Sequence, residues 1–162
     1  MSSRSQPSPG FQEGDRFLSF SLGKDDFAIP LMKVREVIAV PVFTPVPHSP
    51  SHFLGMTNIR GQIITAIDLR LKLGIKPNQS AEPAIVIIDL GQVQLGVLVD
   101  SVNSVLTPKA EYVSGRPVVE TRIDASFIQG IYRRENQLVI LLDIEKALGA
   151  SDWNVIKANK AA

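Results

Sequence analysis

Short apolar runs alternate with turn residues along most of the chain, and the pattern occurs twice. Phe17-Leu18-Ser19-Phe20-Ser21-Leu22 gives way to Gly23 and three charged residues, then to Phe27-Ala28-Ile29-Pro30-Leu31; residues 85–90 and 95–99 repeat this around Gly91. Strand-sized apolar runs separated by glycine and polar residues predict β-hairpins. Set against each other without a gap, residues 17–38 and 85–106 agree at their apolar positions, with Val34 on Val102, Val37 on Val105 and Ile38 on Leu106. Residues 53–74 match 128–149 in the same way, placing Gly55 on Gly130, Gln62 on Gln137, Asp68 on Asp143 and Gly74 on Gly149. Matching apolar residues arise easily by chance, whereas coincident Gly, Gln and Asp at turn positions do not, so the chain is read as a tandem duplication.

In the second block of the first unit, residues 56–59 and 62–67 flank Arg60-Gly61, where glycine supplies the positive φ of a tight hairpin. Glu135-Asn136 stands there in the second unit, and asparagine is the residue expected to tolerate the left-handed conformation. Each unit closes on Asp, five residues and Gly, Asp68 to Gly74 and Asp143 to Gly149. This predicts a short helical turn capped by the Asp and stopped by a left-handed Gly. About five short strands per unit are too few for a sandwich and suit a small closed barrel. The expected fold is all-β, with two tandem barrels at about residues 15–76 and 82–150; the repeat leaves open whether strands are exchanged between them. Pro41, Pro45, Pro47 and Pro50 exclude a central strand between them and predict a surface connection. Residues 1–14, rich in Ser, Pro and Gln, are expected to be a disordered leader. The tail from 151 to 162, with Trp153 and Ile156, suggests an amphipathic helix.

Composition narrows the function. The 162 residues are 44% hydrophobic, enough to bury a core, and 17 Lys and Arg balance 16 Asp and Glu, so no large field draws nucleic acid or an anionic membrane. Aromatics at 6% are sparse for a stacking platform on single strands. The absence of cysteine removes disulfides, thiolate nucleophiles and thiolate metal sites, and suits a reducing cytoplasm. No apolar run approaches the roughly 20 residues that span a bilayer, and the leader has no signal-peptide core.

Catalytic chemistry finds little support. His48 and His52 have the four-residue spacing of a helical metal pair, but Pro50 stands between them and no third ligand is nearby, so a solvated loop is the better reading. Asp25-Asp26 is read as a turn, and Asp68 and Asp143 as caps rather than a catalytic dyad. There is no phosphate loop and no nucleophile elbow. What differs between the units is the polar display on a shared frame: Asn58-Ile59-Arg60-Gly61 in one, Arg133-Arg134-Glu135-Asn136 in the other. Positions alike in both copies are read as scaffold, and differing ones as addresses for different partners. A lone solvated turn arginine remains an equal reading of Arg60 at this point.

The segment Gly55-Met-Thr-Asn-Ile-Arg-Gly-Gln-Ile-Ile-Thr-Ala-Ile-Asp-Leu-Arg70 resembles the signature of the CheW family of chemotaxis coupling proteins. Val34-Arg-Glu-Val-Ile38, Gly96 to Leu106, Phe127-Ile-Gln-Gly130 and residues 138–148 resemble the family in the same order, covering about residues 15–150. The resemblance implies two SH3-like five-stranded barrels acting without catalysis or cofactor, as a cytoplasmic scaffold between chemoreceptor tips and the regulatory domain of the histidine kinase CheA. Further copies would join it in array rings, and no nucleic acid or membrane insertion is implied. Carried over by motif, Glu36 and Arg60 would pair, and Val34, Glu36, Val37, Asn58, Arg60 and Gly61 would meet partners. Val102 and Val105 match apolar positions near the groove between barrels, while periodicity alone equally makes them barrel core. Two departures stand out: Thr65-Ala66 where many relatives carry proline, and the proline-rich 40–50 connection, which would suit a pilus-type or other specialised array. A free-standing kinase regulatory domain or a piece of a longer coupling protein would share the architecture. A nucleic-acid-binding small barrel is the reading from another class.

Overall fold

The computed structural model describes residues 12–78, 82–115 and 123–160. The leader expected at 1–14 therefore lies outside them, apart from a turn at its end. Among these residues eleven strands form: β1 (Phe17–Leu22), β2 (Asp25–Pro30), β3 (Val34–Ala39), β4 (Phe53–Ile59), β5 (Gln62–Asp68), β6 (Ala84–Asp89), β7 (Gln94–Val99), β8 (Ser101–Leu106), β9 (Val113–Ser114), β10 (Ile128–Arg134) and β11 (Gln137–Leu142). Among the described residues three α-helices accompany them, besides short 3-10 turns: α1 (Leu69–Leu73), α2 (Ile144–Ala147) and α3 (Ala150–Lys160). Asp25 and Asp26 open β2 instead of forming the turn read from the sequence, because Asp25 pairs with Leu22 at the hairpin end.

Sheet I has the order β3-β6-β7-β5-β4 and sheet II the order β8-β1-β2-β11-β10-β9. Through the sequence repeat, β3 corresponds to β8, β6 to β1, β7 to β2, β5 to β11 and β4 to β10. The two orders are thus the same order, except for the two-residue β9 at the rim of sheet II. Each sheet has one parallel contact at the same place, β5 with β7 and β2 with β11. Sheet I is completed by the first hairpin of the second unit, and sheet II by the first hairpin of the first. The exchange is reciprocal. A division at residues 76–82 consequently does not separate the sheets, because hairpin 17–30 finds its parallel partner only in β11.

The exchange explains why the exchanged strands read as nearly continuous apolar runs: both of their faces are buried. On β6, Val86 and Ile88 enter a large cluster shared by the two sheets, while Ile85 and Ile87 enter a smaller one within sheet I. On β1 and β2, Leu18, Phe20, Phe27 and Ile29 face the shared cluster, and Phe17 and Ala28 a private cluster of sheet II. A fully buried side chain of this size contributes roughly 1.5–3 kcal/mol, so the shared cluster makes the sheets one cooperative body.

The capping expectation holds for α1: Asp68 accepts from the Arg70 amide, and Gly74 ends the helix at φ 71°. Asp143 caps α2 by accepting from the Glu145 and Lys146 amides, but the second stop differs. Leu148 closes α2 in extended conformation, and Gly149 instead starts α3, accepting from the Trp153 amide. The proline-rich connection packs its Phe43 on the small cluster of sheet I and pairs with the sheet through a bridge, Thr44 to Met56. Gly55, at φ 130° inside β4, permits it, since a Cβ there would lie 2.2 Å from the Thr44 carbonyl oxygen.

Candidate functional site

The β4–β5 hairpin turns through Arg60 at φ 54° and Gly61 at φ 85°, which gives the backbone hand that matches strand twist. Asn58 fixes this turn, because its Oδ1 accepts from the Gly61 amide at 2.9 Å. The turn throws the Arg60 side chain back over the sheet edge, where Nη1 donates to Glu36 Oε2 on β3 at 2.7 Å. Arg60 is 75% and Glu36 27% exposed. Beneath the pair lies an open depression whose walls include Arg35, Ile59, Ile64 and Ile87.

In sheet II the matching turn takes its positive φ at Glu135, 54°, and not at Asn136 as the sequence suggested. A carboxylate therefore stands where sheet I carries a guanidinium, and Ser104 stands where sheet I carries Glu36. Next to it, Arg134 lies over the Tyr112 ring at 5.3 Å.

The four valines separate into two kinds. Val34 and Val102 pack partly against the shared core. Val37 and Val105 are 42% and 50% exposed on β3 and β8, the outer strands of their sheets. Strand pleating is the cause, since residues three apart on one strand point to opposite faces.

Sequence reasoning missed two polar clusters. In the first, the Arg70 guanidinium holds both Asp68 oxygens, and its Nη1 reaches Asp100 Oδ1 at 2.6 Å. Asp100 sits where the chain crosses from β7 to β8, is enclosed, and also accepts from the Gly23 and Asn78 amides. The hydrogen bonds that Arg70 donates to Asp68 and Asp100, despite partial burial, hold it firmly charged. At the corresponding place on α2, Glu145 pairs with Lys33, so a charge-reversed contact braces the opposite crossing. The available signal was Asp-x-Arg at 68–70 against Asp-x-Glu at 143–145.

In the second cluster, Asp152 of α3, with no exposed side-chain surface, lies 2.6 Å from His52 Nε2 and 2.7 Å from Lys72 Nζ, and accepts from the Gly149 amide. Burial would raise its pKa, but Lys72, the Gly149 N–H and His52 outweigh that and hold the carboxyl below its ordinary range. His52 is thus a structural partner rather than half of a metal pair. Among the described residues no group of three or more His, Asp and Glu could hold a metal ion, and no helix is long and apolar enough to cross a membrane.

Two interlocked small barrels, with their enclosed charges engaged in bracing and their distinctive charges held out on hairpin rims, define a scaffold class of protein. A family model described as a CheW-like domain matches residues 16–152. A probable chemotaxis protein CheW from Rhizobium etli is 32% identical over 135 residues, 82% of this chain and 87% of that one. A chemotaxis protein CheW from Klebsiella aerogenes is 31% identical over 144 residues, 88% of this chain and 87% of that one. The crystal structure of the scaffolding protein TtCheW from Thermoanaerobacter tengcongensis superposes with a TM-score of 0.72 at 30% identity, over 80% of this chain and 88% of that one. The chain belongs to the CheW family of chemotaxis scaffold proteins, and its two sheets are the SH3-like barrels of that family.

Proposed function

We propose that this chain is a non-catalytic cytoplasmic adaptor that couples the tips of membrane-bound chemoreceptors to the regulatory domain of a CheA-type histidine kinase, with further copies joining it in array rings. The observation that carries this reading is the Glu36–Arg60 pair on the rim of sheet I, set against Ser104 and Glu135 at the same repeat positions of sheet II. A pair this exposed contributes only ~0–1 kcal/mol to folding. Its value lies in presenting two oriented charges at a fixed place, which favours partner choice and encounter rate. Val37 and Val105 add exposed apolar surface on outer strands, the kind of edge that a partner covers.

Because the two rims share a backbone frame and differ in charge, they address different partners. Receptor and kinase then meet separate faces of one body, and a change in how the receptor sits biases the kinase through interfaces alone. The test is Arg60→Glu, assayed by pull-down with receptor fragments and with the kinase regulatory domain. Weakened capture of one or both by a folded variant is expected; full capture of both would overturn the reading.

A further inference from the structure

The Asp152 cluster adds a polar tie between the end of sheet II and sheet I, at a place where no strands pair. α3 follows directly on α2, which closes sheet II, with only Leu148 and Gly149 between them. Yet the groups α3 meets belong to sheet I: His52 at the entry to β4, Thr65 on β5 and Lys72 on α1. Besides the Asp152 contacts, Asn159 Nδ2 donates to Thr65 Oγ1 at 3.0 Å, and Ile156, 2% exposed, enters the shared core. Asp152, Ile156 and Asn159 are spaced four and three apart, so they form one stripe of the helix. Trp153 packs partly against the same core and Val155 is half-buried, while Ser151, Asn154, Lys157 and Ala158 face outward.

An 11-residue helix of this composition does not hold its shape alone in water. Its fold depends on that stripe, and the strongest element of the stripe is an enclosed carboxylate with two cationic or protonatable partners. Removing one member of such a group leaves the others without their compensating charge or hydrogen bond, so the seat of the helix is weakened by a single substitution. The His52 carbonyl in turn accepts from the Asp68 amide at 2.7 Å, and Asp68 holds Arg70, which holds Asp100. The seat of α3 is therefore continuous, through packed polar contacts, with the crossing between the sheets.

We infer that α3 is a detachable clasp, latched by Asp152 on His52 and Lys72, that fixes how the two barrels are set against each other. With the clasp closed, the hairpin rims of sheets I and II are held at one mutual angle. With it open, the shared cluster and the exchanged hairpins still join the sheets, and that angle varies over a wider range about its closed value. This goes beyond partner coupling and does not depend on which proteins bind the rims.

The 162-residue chain supplies its own probes. Trp153, its one tryptophan, lies on α3, and the absence of cysteine permits a clean pair of spin labels. Lys24→Cys and Gln92→Cys place labels on corresponding, exposed hairpin tips, one per sheet. In this background Asp152→Asn is expected to red-shift Trp153 emission, to raise its quenching by acrylamide, and to speed amide exchange along α3 by about tenfold or more. It is also expected to broaden the distance distribution between the labels while the β-type circular dichroism persists. Lys72→Met is expected to produce the same changes to a smaller extent, and decides the matter should Asp152→Asn unfold the chain. Unchanged Trp153 quenching in the folded variants would overturn the latch. A released Trp153 with an unchanged label distribution would overturn the clasp.

Discussion

Arg70 Nη1 donates to Asp100 Oδ1 at 2.6 Å, joining the helix that ends β5 to the point where the chain leaves sheet I for sheet II. Asp100 is also the acceptor for the Gly23 and Asn78 amides, so one carboxylate ties together the β1–β2 turn, the segment after α1 and the sheet crossing. Asp100→Ala leaves the Gly23 and Asn78 amides and Arg70 Nη1 without this acceptor while Arg70 keeps Asp68, and is expected to cost about 2 kcal/mol or more. Guanidinium unfolding midpoints measure it; a loss under about 1 kcal/mol would show the brace to be solvated in solution.

Two glycines of one hairpin are expected to behave differently. Gly55→Ala drives a Cβ into the Thr44 carbonyl and should break the bridge that holds the proline-rich connection, lowering the melting temperature by several degrees. Gly61→Ala meets no atom within 4 Å and bears only the strain of φ 85°, about 1 kcal/mol. Calorimetry on the two variants checks the order.

Charge reversal at the rim separates folding from recognition. Arg60→Glu and Glu36→Arg are each expected to change stability by at most ~1 kcal/mol, since the pair is largely solvated. The double variant should regain that stability through the reversed pair while still failing to capture partners, because the displayed charges remain inverted. Recovery of both properties would mean that only the pairing matters.

Asp152 makes stability fall in acid. Its carboxyl is held below the ordinary range by Lys72, the Gly149 N–H and His52 against the opposing effect of burial. A depressed carboxyl contributes stability that is present above the unfolded value near 4 and is lost as pH falls through the folded value. Unfolding midpoints followed downward from about pH 5 should decline less steeply for Asp152→Asn than for the parent chain. Parallel profiles would assign the acid loss to other carboxylates.

The duplication, the all-β class, the hairpins, the Asp68 cap with its Gly74 stop and the likeness of residues 55–70 to the CheW signature were legible in the sequence. All of them depend on local patterns: alternation, turn residues and caps act within a few positions, and a repeat carries them twice. The Glu36–Arg60 contact was legible too, though only by likeness to a family. The tertiary structure alone decided the reciprocal exchange of hairpins, because two halves of like pattern present similar edges and only packing of the shared core selects a partner. It alone placed Val37 outward and Val34 inward, moved the left-handed residue to Glu135, and brought Asp100 to Arg70. His52 shows the difference most plainly: the sequence read it as part of a solvated loop, and the fold placed it against Asp152, a hundred residues on, where an enclosed carboxylate needed a partner.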